Sequence, residues 1–186
     1  MKVLGIMGSP RRGGNTDMLL SWIMAGVEMA GGETETVYLH ELTIKECDGC
    51  LACWKKHPCP KKDDMNILYE KIAESDAYVF GTPVYWYGPT ALMKGFIDRW
   101  VYFNYEGNRP QVRGKSALLA VPYEESDPVN GEAVAEFFQR SLNYLEMRLA
   151  GSLLIGEVGE KGAVRKNKAW EEDCIRLGRM LAEEVE

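Results

Sequence analysis

Four of the chain's five cysteines lie within thirteen residues, in the spacing C-x2-C-x2-C-x5-C followed directly by proline. Thiolates at every third position can converge on one side of a tight loop, and a fourth can close the set from the far side. Iron–sulfur clusters need four such soft ligands, and bacterial ferredoxins present them in a similar run that ends in Cys-Pro. We therefore expect an iron–sulfur cluster on the four cysteines of this run, which are Cys47, Cys50, Cys53 and Cys59.

Other uses of these thiols stay open. Four thiolates also suit zinc, although structural zinc sites usually pair two C-x2-C units across a longer insert. The cysteines could instead be redox-active without a metal. A disulfide framework is disfavoured, because a chain of this length can build a core without such cross-links. The fifth cysteine, Cys174, falls within a helical pattern and is expected to be a small core residue.

Length and composition are typical of one ordinary globular domain. The chain has 186 residues, of which 46% are hydrophobic and 27% are charged, and its net charge is −6. A negative chain without a basic stripe argues against nucleic-acid binding. Its apolar runs are too short for a signal peptide or a membrane span. We expect a single domain over residues 1–186, in the cytoplasm, where thiols stay reduced.

Apolar runs and helical periodicities alternate along the chain. The apolar runs predict strands at residues 2–7, 34–39, 77–81, 116–121 and 152–158. The helical periodicities predict helices at residues 16–30, 67–75, 90–101, 132–149 and 168–183. The cysteine run forms an insertion at about residues 45–64. Five such units in series predict an α/β fold with a five-stranded parallel sheet, in the order 2-1-3-4-5, and helices on both faces.

In such a sheet a ligand binds beyond the carboxyl ends of the first and third strands. The loop after the first strand reads GSPRRGGNT and runs directly into a helix, where backbone N–H groups and the helix dipole favour an anion. The loop matches neither G-x-G-x-x-G nor the lysine-containing P-loop, so a terminal monophosphate suits it best. An ordinary strand-to-helix turn is the alternative. Polar and positively charged groups come from Ser9, Arg11, Arg12, Asn15 and Thr16.

The loop after the third strand reads GTPVYWYGP. Its three consecutive aromatic residues, Tyr85, Trp86 and Tyr87, have a spacing that no single strand or helix face could bury. Prolines stiffen this loop, and glycines let its backbone approach a planar ligand. Together with a monophosphate site, these features indicate FMN, whose ring the backbone groups of the loop would bind.

Three segments together resemble the iron–sulfur flavoproteins, a group within the NADPH-dependent FMN reductases that has the flavodoxin-like fold. The segments are GSPRRGGNT, the cysteine run followed by KKDDM, and GTPVYWYGPTALMKGFIDR. The resemblance covers most of the chain and implies a flavin-dependent oxidoreductase that carries FMN and a [4Fe-4S] cluster. It implies that the FMN phosphate is held by Ser9, Arg11, Asn15 and Thr16. It implies ring contacts from Pro83, Val84, Tyr85, Trp86, Tyr87 and Gly88.

Two such centres would couple one-electron carriers to two-electron reactants. The resemblance implies ferredoxin as the electron donor and a small-molecule acceptor such as dioxygen, peroxide or a quinone. NADPH is a further candidate reductant, and the alternative function is an NAD(P)H-dependent FMN or quinone reductase without a cluster. A non-enzymatic flavin or metal-binding module is the third class. We assign no catalytic side chain, because the cofactors carry the chemistry.

Two charged features have more than one interpretation. A lysine cluster beside the cysteines could steer an acidic ferredoxin, or it could simply be solvated. The cluster comprises Lys55, Lys56, Lys61 and Lys62. After the fourth strand, Glu124 and Glu125 could line a cleft, although a solvated turn is favoured.

The quaternary structure is predicted mainly from the resemblance, which implies a homodimer or a homotetramer. One feature of the sequence adds to it. Trp100, Tyr102, Phe103 and Tyr105 follow one another more closely than a single helix face can bury. We therefore expect an exposed aromatic patch at a subunit interface.

Overall fold

The computed structural model describes residues 1–55 and 57–184. The main sheet contains β1 Lys2–Met7, β2 Glu33–Tyr38, β3 Ala77–Gly81, β6 Ser116–Pro122 and β7 Arg148–Ile155. A separate hairpin contains β4 Val84–Tyr85 and β5 Gly88–Pro89. The helices are α1 Asn15–Met29, α2 Met65–Glu74, α3 Ala91–Asp98, α4 Val101–Asn104, α5 Val129–Tyr144 and α6 Lys168–Glu184. Within the described ranges, no helix is both long enough and apolar enough to cross a membrane.

All strands of the main sheet are parallel, in the order β2-β1-β3-β6-β7. When the hairpin strands are left out of the count, this is the predicted order 2-1-3-4-5, and the flavodoxin-like fold is confirmed. The central strands β1, β3 and β6 are almost completely buried, which explains their continuous apolar sequences. The strand order reverses between β1 and β3, so a crevice opens beyond their carboxyl ends.

Helices cover both faces of the sheet, because successive side chains of a strand point to opposite faces. On β1, Leu4 and Ile6 belong to the core formed with α2, α3 and α5. Val3 and Met7 belong to the core formed with α1 and α6. The second core also contains the fully buried Cys174, as predicted.

The end of α5 differs from the predicted helix at residues 132–149. The helix stops early because Glu146 adopts a left-handed conformation, with φ of 60°. The N–H of Glu146 donates to the carbonyl of Asn143, and that of Met147 donates to the carbonyl of Leu142, both at 3.0 Å. This is the Schellman pattern, in which glycine usually takes the left-handed position. The apolar stripe continues through Leu145, so periodicity alone predicted a longer helix and a later fifth strand.

The prediction of an exposed aromatic patch after α3 is wrong. Trp100 is 3% exposed and Phe103 is fully buried, and Tyr102 stacks on Tyr69 with ring centroids 4.1 Å apart. A second short helix, α4, begins at Val101 and changes the direction of these side chains, so that they pack into the core. The segment therefore gives no support to the predicted homodimer or homotetramer.

Two glycines let α1 and α6 cross in backbone contact. An ideal Cβ on Gly178 would lie 2.0 Å from the carbonyl oxygen of Ile23, and one on Gly26 would lie 2.2 Å from that of Ile175. We predict that Gly178→Ala lowers the free energy of unfolding by about 3 kcal/mol, because overpacking forces the helices apart. In α3, a Cβ on Gly95 meets nothing within 4 Å, so Gly95→Ala should stabilise by about 0.5–1 kcal/mol. Urea denaturation measures the free energy of unfolding of both variants. If both substitutions lowered it, or both raised it, the prediction would be contradicted.

Candidate cofactor cleft and cysteine cage

A cleft of about 480 Å³ opens at the carboxyl ends of β1, β3 and β6. Cofactor sites typically measure about 300–1,000 Å³. The loops after β1, β3, β6 and β7 form its walls. Of the ten residues predicted to bind FMN, eight line this cleft, whereas Tyr87 and Gly88 do not. The eight are Ser9, Arg11, Asn15, Thr16, Pro83, Val84, Tyr85 and Trp86.

The loop after β1 forms one end of the cleft and suits an anion. Ser9 is 4% exposed, and its hydroxyl oxygen accepts the N–H of Arg11 at 3.2 Å. Gly13 turns the chain with φ of 65° and donates its N–H to the Asp17 carboxylate at 2.6 Å. The N–H groups in the first turn of α1 have no acceptor within the helix, and the helix dipole favours a negative group beside them. The positive charge of Arg11 adds to this preference.

The side chain of Asn15, which lines the cleft, also connects two of its loops. Its Nδ2 donates to the carbonyls of Val158 at 2.6 Å and Glu160 at 2.8 Å. Its Oδ1 accepts the N–H of Val164 at 3.4 Å. Asn15 therefore ties the loop after β7 to the start of α1, where the N–H groups of the first turn lack an acceptor within the helix.

This connection brings a further cation to the cleft. Lys161 lines the same cleft as Arg11, and its Nζ lies 3.9 Å from the position that a Cβ on Gly13 would occupy. Sequence reasoning did not identify Lys161, because its neighbours in the chain carry no motif. Its place at the anion end depends on the contact of Asn15 with residues 158–164.

The predicted aromatic loop is a hairpin with an unusual turn. Trp86 and Tyr87 both have positive φ values, 50° and 62°. Two-residue turns of this kind usually contain Asn-Gly, because bulky side chains rarely adopt the conformation. The turn leaves Trp86 94% exposed at the rim of the cleft. The strained turn therefore keeps aromatic rings out of the core and at the mouth of a candidate site.

Two buried threonines fix the base of this hairpin. The hydroxyl of Thr90 donates to the carbonyl of Gly8 at 2.6 Å and caps α3 by accepting the N–H of Met93 at 3.1 Å. The N–H of Thr90 donates to the hydroxyl oxygen of Thr82 at 3.1 Å. The loops after β1 and β3 are thus held together. The capping role of Thr90 has a sequence signal, a threonine before a helix, but its contact with Gly8 has none.

The acidic loop after β6 was predicted either to line a cleft or to be a solvated turn, and it does both. Tyr123 is 7% exposed and anchors the loop, whereas Glu124 and Glu125 are exposed. Both glutamates nevertheless line the cleft. The solvated turn that the sequence favoured is therefore also a wall of the site, and it places negative charge in the same cleft as Arg11 and Lys161.

The four cysteines of the C-x2-C-x2-C-x5-C run line one hollow, and this segment is called the cysteine cage. Cys53 is buried, Cys47 and Cys59 are partly buried, and Cys50 is exposed; all four are free thiols. Burial raises the pKa of the Cys53 thiol, and the nearby thiols of Cys59, Cys47 and Cys50 raise it further. The structure thus brings together the four thiols that the sequence singled out.

The donors of the cage are four thiols, the ligand type that both zinc and a [4Fe-4S] cluster accept. Among the described residues, no three His, Cys, Asp or Glu side chains form a group that could hold one metal ion. Each thiolate of a [4Fe-4S] cluster binds a different iron, so its sulfurs stand further apart than those around one zinc. The hollow measures about 20 Å³, so a cluster requires the cage to widen. Its exposed side at Cys50 offers room, since a Cβ added to the neighbouring Gly49 meets nothing within 4 Å.

A buried ion pair lies beneath the cage. The side chains of Arg99 and Asp63 are 1% and 0% exposed, and Nη1 of the arginine lies 2.5 Å from Oδ2 of the aspartate. Burial alone would raise the pKa of the Asp63 carboxyl, but hydrogen bonds from Arg99 and from the N–H of Lys45 outweigh it and hold the pKa below its ordinary value. Both residues lie in segments that carried the family resemblance, but their pairing had no sequence signal, because they lie 36 positions apart.

The lysine cluster is not uniform. Lys61 is largely covered and pairs with Asp48 within the cage, with 3.0 Å between Nζ and Oδ2. Lys55 and Lys62 are exposed, and Lys56 lies outside the described residues. Lys61 therefore stabilises the cage, whereas Lys55 and Lys62 are available to a partner.

Comparisons with known proteins agree with this geometry. The family model described as NADPH-dependent FMN reductase matches residues 1–151. An iron-sulfur flavoprotein of Archaeoglobus fulgidus is 34% identical over 100% of this chain and 81% of its own length. An iron-sulfur flavoprotein of Methanosarcina thermophila is 35% identical over 95% of this chain and 88% of its own. The solved NAD(P)H:quinone oxidoreductase from Methanothermobacter marburgensis has a TM-score of 0.72 at 20% identity, over 97% of this chain and 94% of that one.

The fold and the family define a flavin-dependent oxidoreductase with flavodoxin-like architecture. The chain belongs to the NADPH-dependent FMN reductase family and, within it, to the iron–sulfur flavoproteins. The resemblance on which the sequence analysis relied is confirmed. The family match ends at residue 151, so Lys161 and α6 lie beyond it.

We predict that Asn15→Ala loosens the loop at residues 158–164. Two carbonyls and one N–H would lose their partner, which should lower the free energy of unfolding by about 1–3 kcal/mol. Amide hydrogen exchange in this loop should increase. Asn143 is exposed on α5, so Asn143→Ala serves as the control and should change stability by less than about 0.5 kcal/mol. Unaltered exchange at residues 158–164 in Asn15→Ala would contradict the clamp.

Proposed function

We propose that the chain carries FMN in the cleft and a [4Fe-4S] cluster in the cysteine cage, and that it couples a one-electron donor such as ferredoxin to a small-molecule two-electron acceptor. The observation that carries the proposal is the single hollow shared by four free thiols, in a chain of the FMN reductase family. Membership of the family supports the flavin, and the cage of four thiols supports the iron–sulfur cluster.

The placement of FMN rests on the two ends of the cleft. The phosphate end has Arg11, Lys161 and the first turn of α1, which together supply positive charge and free N–H groups. The opposite wall has the aromatic hairpin and the backbone of the loop after β3, which suit a flat ring. Glu124 and Glu125 at the mouth disfavour further negative charge there, so they would disfavour an anionic acceptor.

The placement of the cluster rests on donor chemistry and support. When bound, the two groups supply one-electron transfer at the cluster and one- or two-electron transfer at the flavin. The protein itself holds the thiols and excludes water from one side. Cys53 faces the buried side of the cage, and Tyr69 and Val101 complete the wall of the hollow.

Donor, acceptor and assembly are further parts of the proposal. Ferredoxins are electron carriers that would approach the cage, and the exposed Lys55 and Lys62 give that face positive charge. NADPH remains a candidate reductant, and an NAD(P)H-dependent reductase without a cluster is the competing function. A homodimer or homotetramer remains a prediction, which sedimentation of the purified protein measures directly.

The cluster is tested by replacing each ligand. We predict that protein purified without oxygen contains about four irons and four acid-labile sulfides per chain, as the cluster formula requires. Replacing Cys47, Cys50, Cys53 or Cys59 with serine should remove most of this iron while FMN remains. Cys174→Ala is the control and should keep the iron, because Cys174 lies in the core with α6. Stoichiometric FMN without iron, together with rapid NADPH oxidation, would favour the competing function.

Electrostatic steering by the cage is tested separately. We predict that Lys55→Glu with Lys62→Glu slows reduction by ferredoxin at least tenfold at low salt and weakens its salt dependence, because complementary charge accelerates encounter. Lys168 and Arg176 are exposed on α6, which packs on the other face of the sheet. Replacing these two with glutamate changes the net charge equally and should leave the rate within about twofold of wild type. Equal slowing in both double variants would show that only total charge matters.

A further inference from the structure

The ends of the cysteine segment are joined by a neck of hydrogen bonds around one buried arginine. Arg99 follows α3, and its Nη1 donates to the carbonyl of Lys45 at 2.8 Å as well as to Asp63. The Asp63 carboxylate in turn accepts the N–H of Lys45 at 2.9 Å and that of Met65 at 3.2 Å. One ion pair therefore holds both the start and the end of the segment.

The same guanidinium also reaches a cysteine of the cage. Its Nη2 donates to Sγ of Cys59 at 3.2 Å, and it contacts Oδ1 of Asp63 at 3.3 Å. A buried arginine is stable only when its charge is paired, and Asp63 meets that requirement without the sulfur. The hydrogen bond to Cys59 is thus additional to what burial demands. The backbone of Arg99 is itself fixed, because its carbonyl accepts the hydroxyl of Tyr69 at 3.2 Å.

We propose that Arg99 is a positioning residue for the cluster, which fixes Cys59 through an N–H to sulfur hydrogen bond and raises the reduction potential of the bound group. The inference rests on the proposed function, since it needs a cluster in the cage. Hydrogen bonds to the sulfurs and the net charge nearby are among the factors that set the potential of an iron–sulfur cluster. Reduction adds negative charge, so a donor aimed at the Cys59 sulfur stabilises the reduced form. The carboxylate of Asp63 acts in the opposite direction.

Variants with opposite expected signs separate this role from a structural one. Arg99→Gln removes the charge and replaces the guanidinium with a shorter amide, and the potential should fall by about 59 mV, the equivalent of a tenfold change for one electron. Asp63→Asn removes the opposing charge but keeps the arginine, and the potential should rise. Arg99→Lys keeps the charge without the forked geometry, so its shift should be smaller than that of Arg99→Gln. Redox titration of anaerobically purified protein, followed by electron paramagnetic resonance, measures all three.

The chain offers a matched control pair. Arg176 and Asp173 on α6 form an exposed arginine–aspartate pair, with 2.7 Å between Nη2 and Oδ1. Arg176→Gln and Asp173→Asn should leave the potential unchanged. Shifts of the same sign in Arg99→Gln and Asp63→Asn, or no shift in any variant that retains its iron, would overturn the inference. If Arg99→Gln fails to fold, the sign of the potential shift in Asp63→Asn and the potential of Arg99→Lys still test the inference.

Failure of the proposed function gives a different result. Wild-type protein without iron and sulfide would overturn the cluster, and with it the effect on potential. The positioning effect is then measured in the metal-free protein by hydrogen exchange over residues 45–64. Exchange there should be at least tenfold faster in Arg99→Gln than in Arg176→Gln, and equal rates would overturn this part as well.

Discussion

The buried ion pair between Arg99 and Asp63 is the interaction on which the cysteine segment depends. This segment has little core of its own, because Cys53 is the one cysteine of the run that is buried. The start of the segment meets the pair through the N–H and carbonyl of Lys45, and its end meets the pair through Asp63 itself, which accepts the N–H of Met65. Removing one partner would leave a buried charge unpaired, which is strongly destabilising. The pair therefore stabilises the closed cage more than exposed ion pairs would, since such pairs contribute little free energy.

The cleft depends on hydrogen bonds between residues that are distant in sequence. Thr90 reaches Gly8 across 82 positions, and Asn15 reaches Val158 across 143. The first contact joins the loops after β1 and β3, and the second adds the loop after β7. Each loop follows a parallel strand, so the sheet brings all of them to one edge. The hydrogen bonds then fix their spacing, which the sheet alone does not determine.

The sequence was sufficient where local patterns decide the structure. Apolar runs identified all five strands of the main sheet, and short loops directly after strands identified most of the cleft lining. It was insufficient where a conformation or a contact is set by the tertiary structure. Glu146 takes a left-handed position that glycine usually marks, so the end of α5 was missed. Trp100 was expected at the surface, but the core encloses it. Lys161 gave no local signal. Arg99 ends the segment GTPVYWYGPTALMKGFIDR, but its contacts with Asp63 and Cys59 had no signal, since these residues lie 36 and 40 positions away.

The helix α3 connects the two candidate sites. Thr90 caps its start and holds the cleft hairpin, while Arg99 follows its end and holds the cage. At 1.5 Å per residue, the nine steps between them span roughly 14 Å. The insertion that forms the cage follows β2, an edge strand, so it does not interrupt the sheet. Of its cysteines, only Cys59 packs against a core, so the insertion needs an anchor. Because one short helix supplies that anchor and also supports the cleft, the separation of the two sites along the chain's own fold is set by a rigid element rather than by a loop.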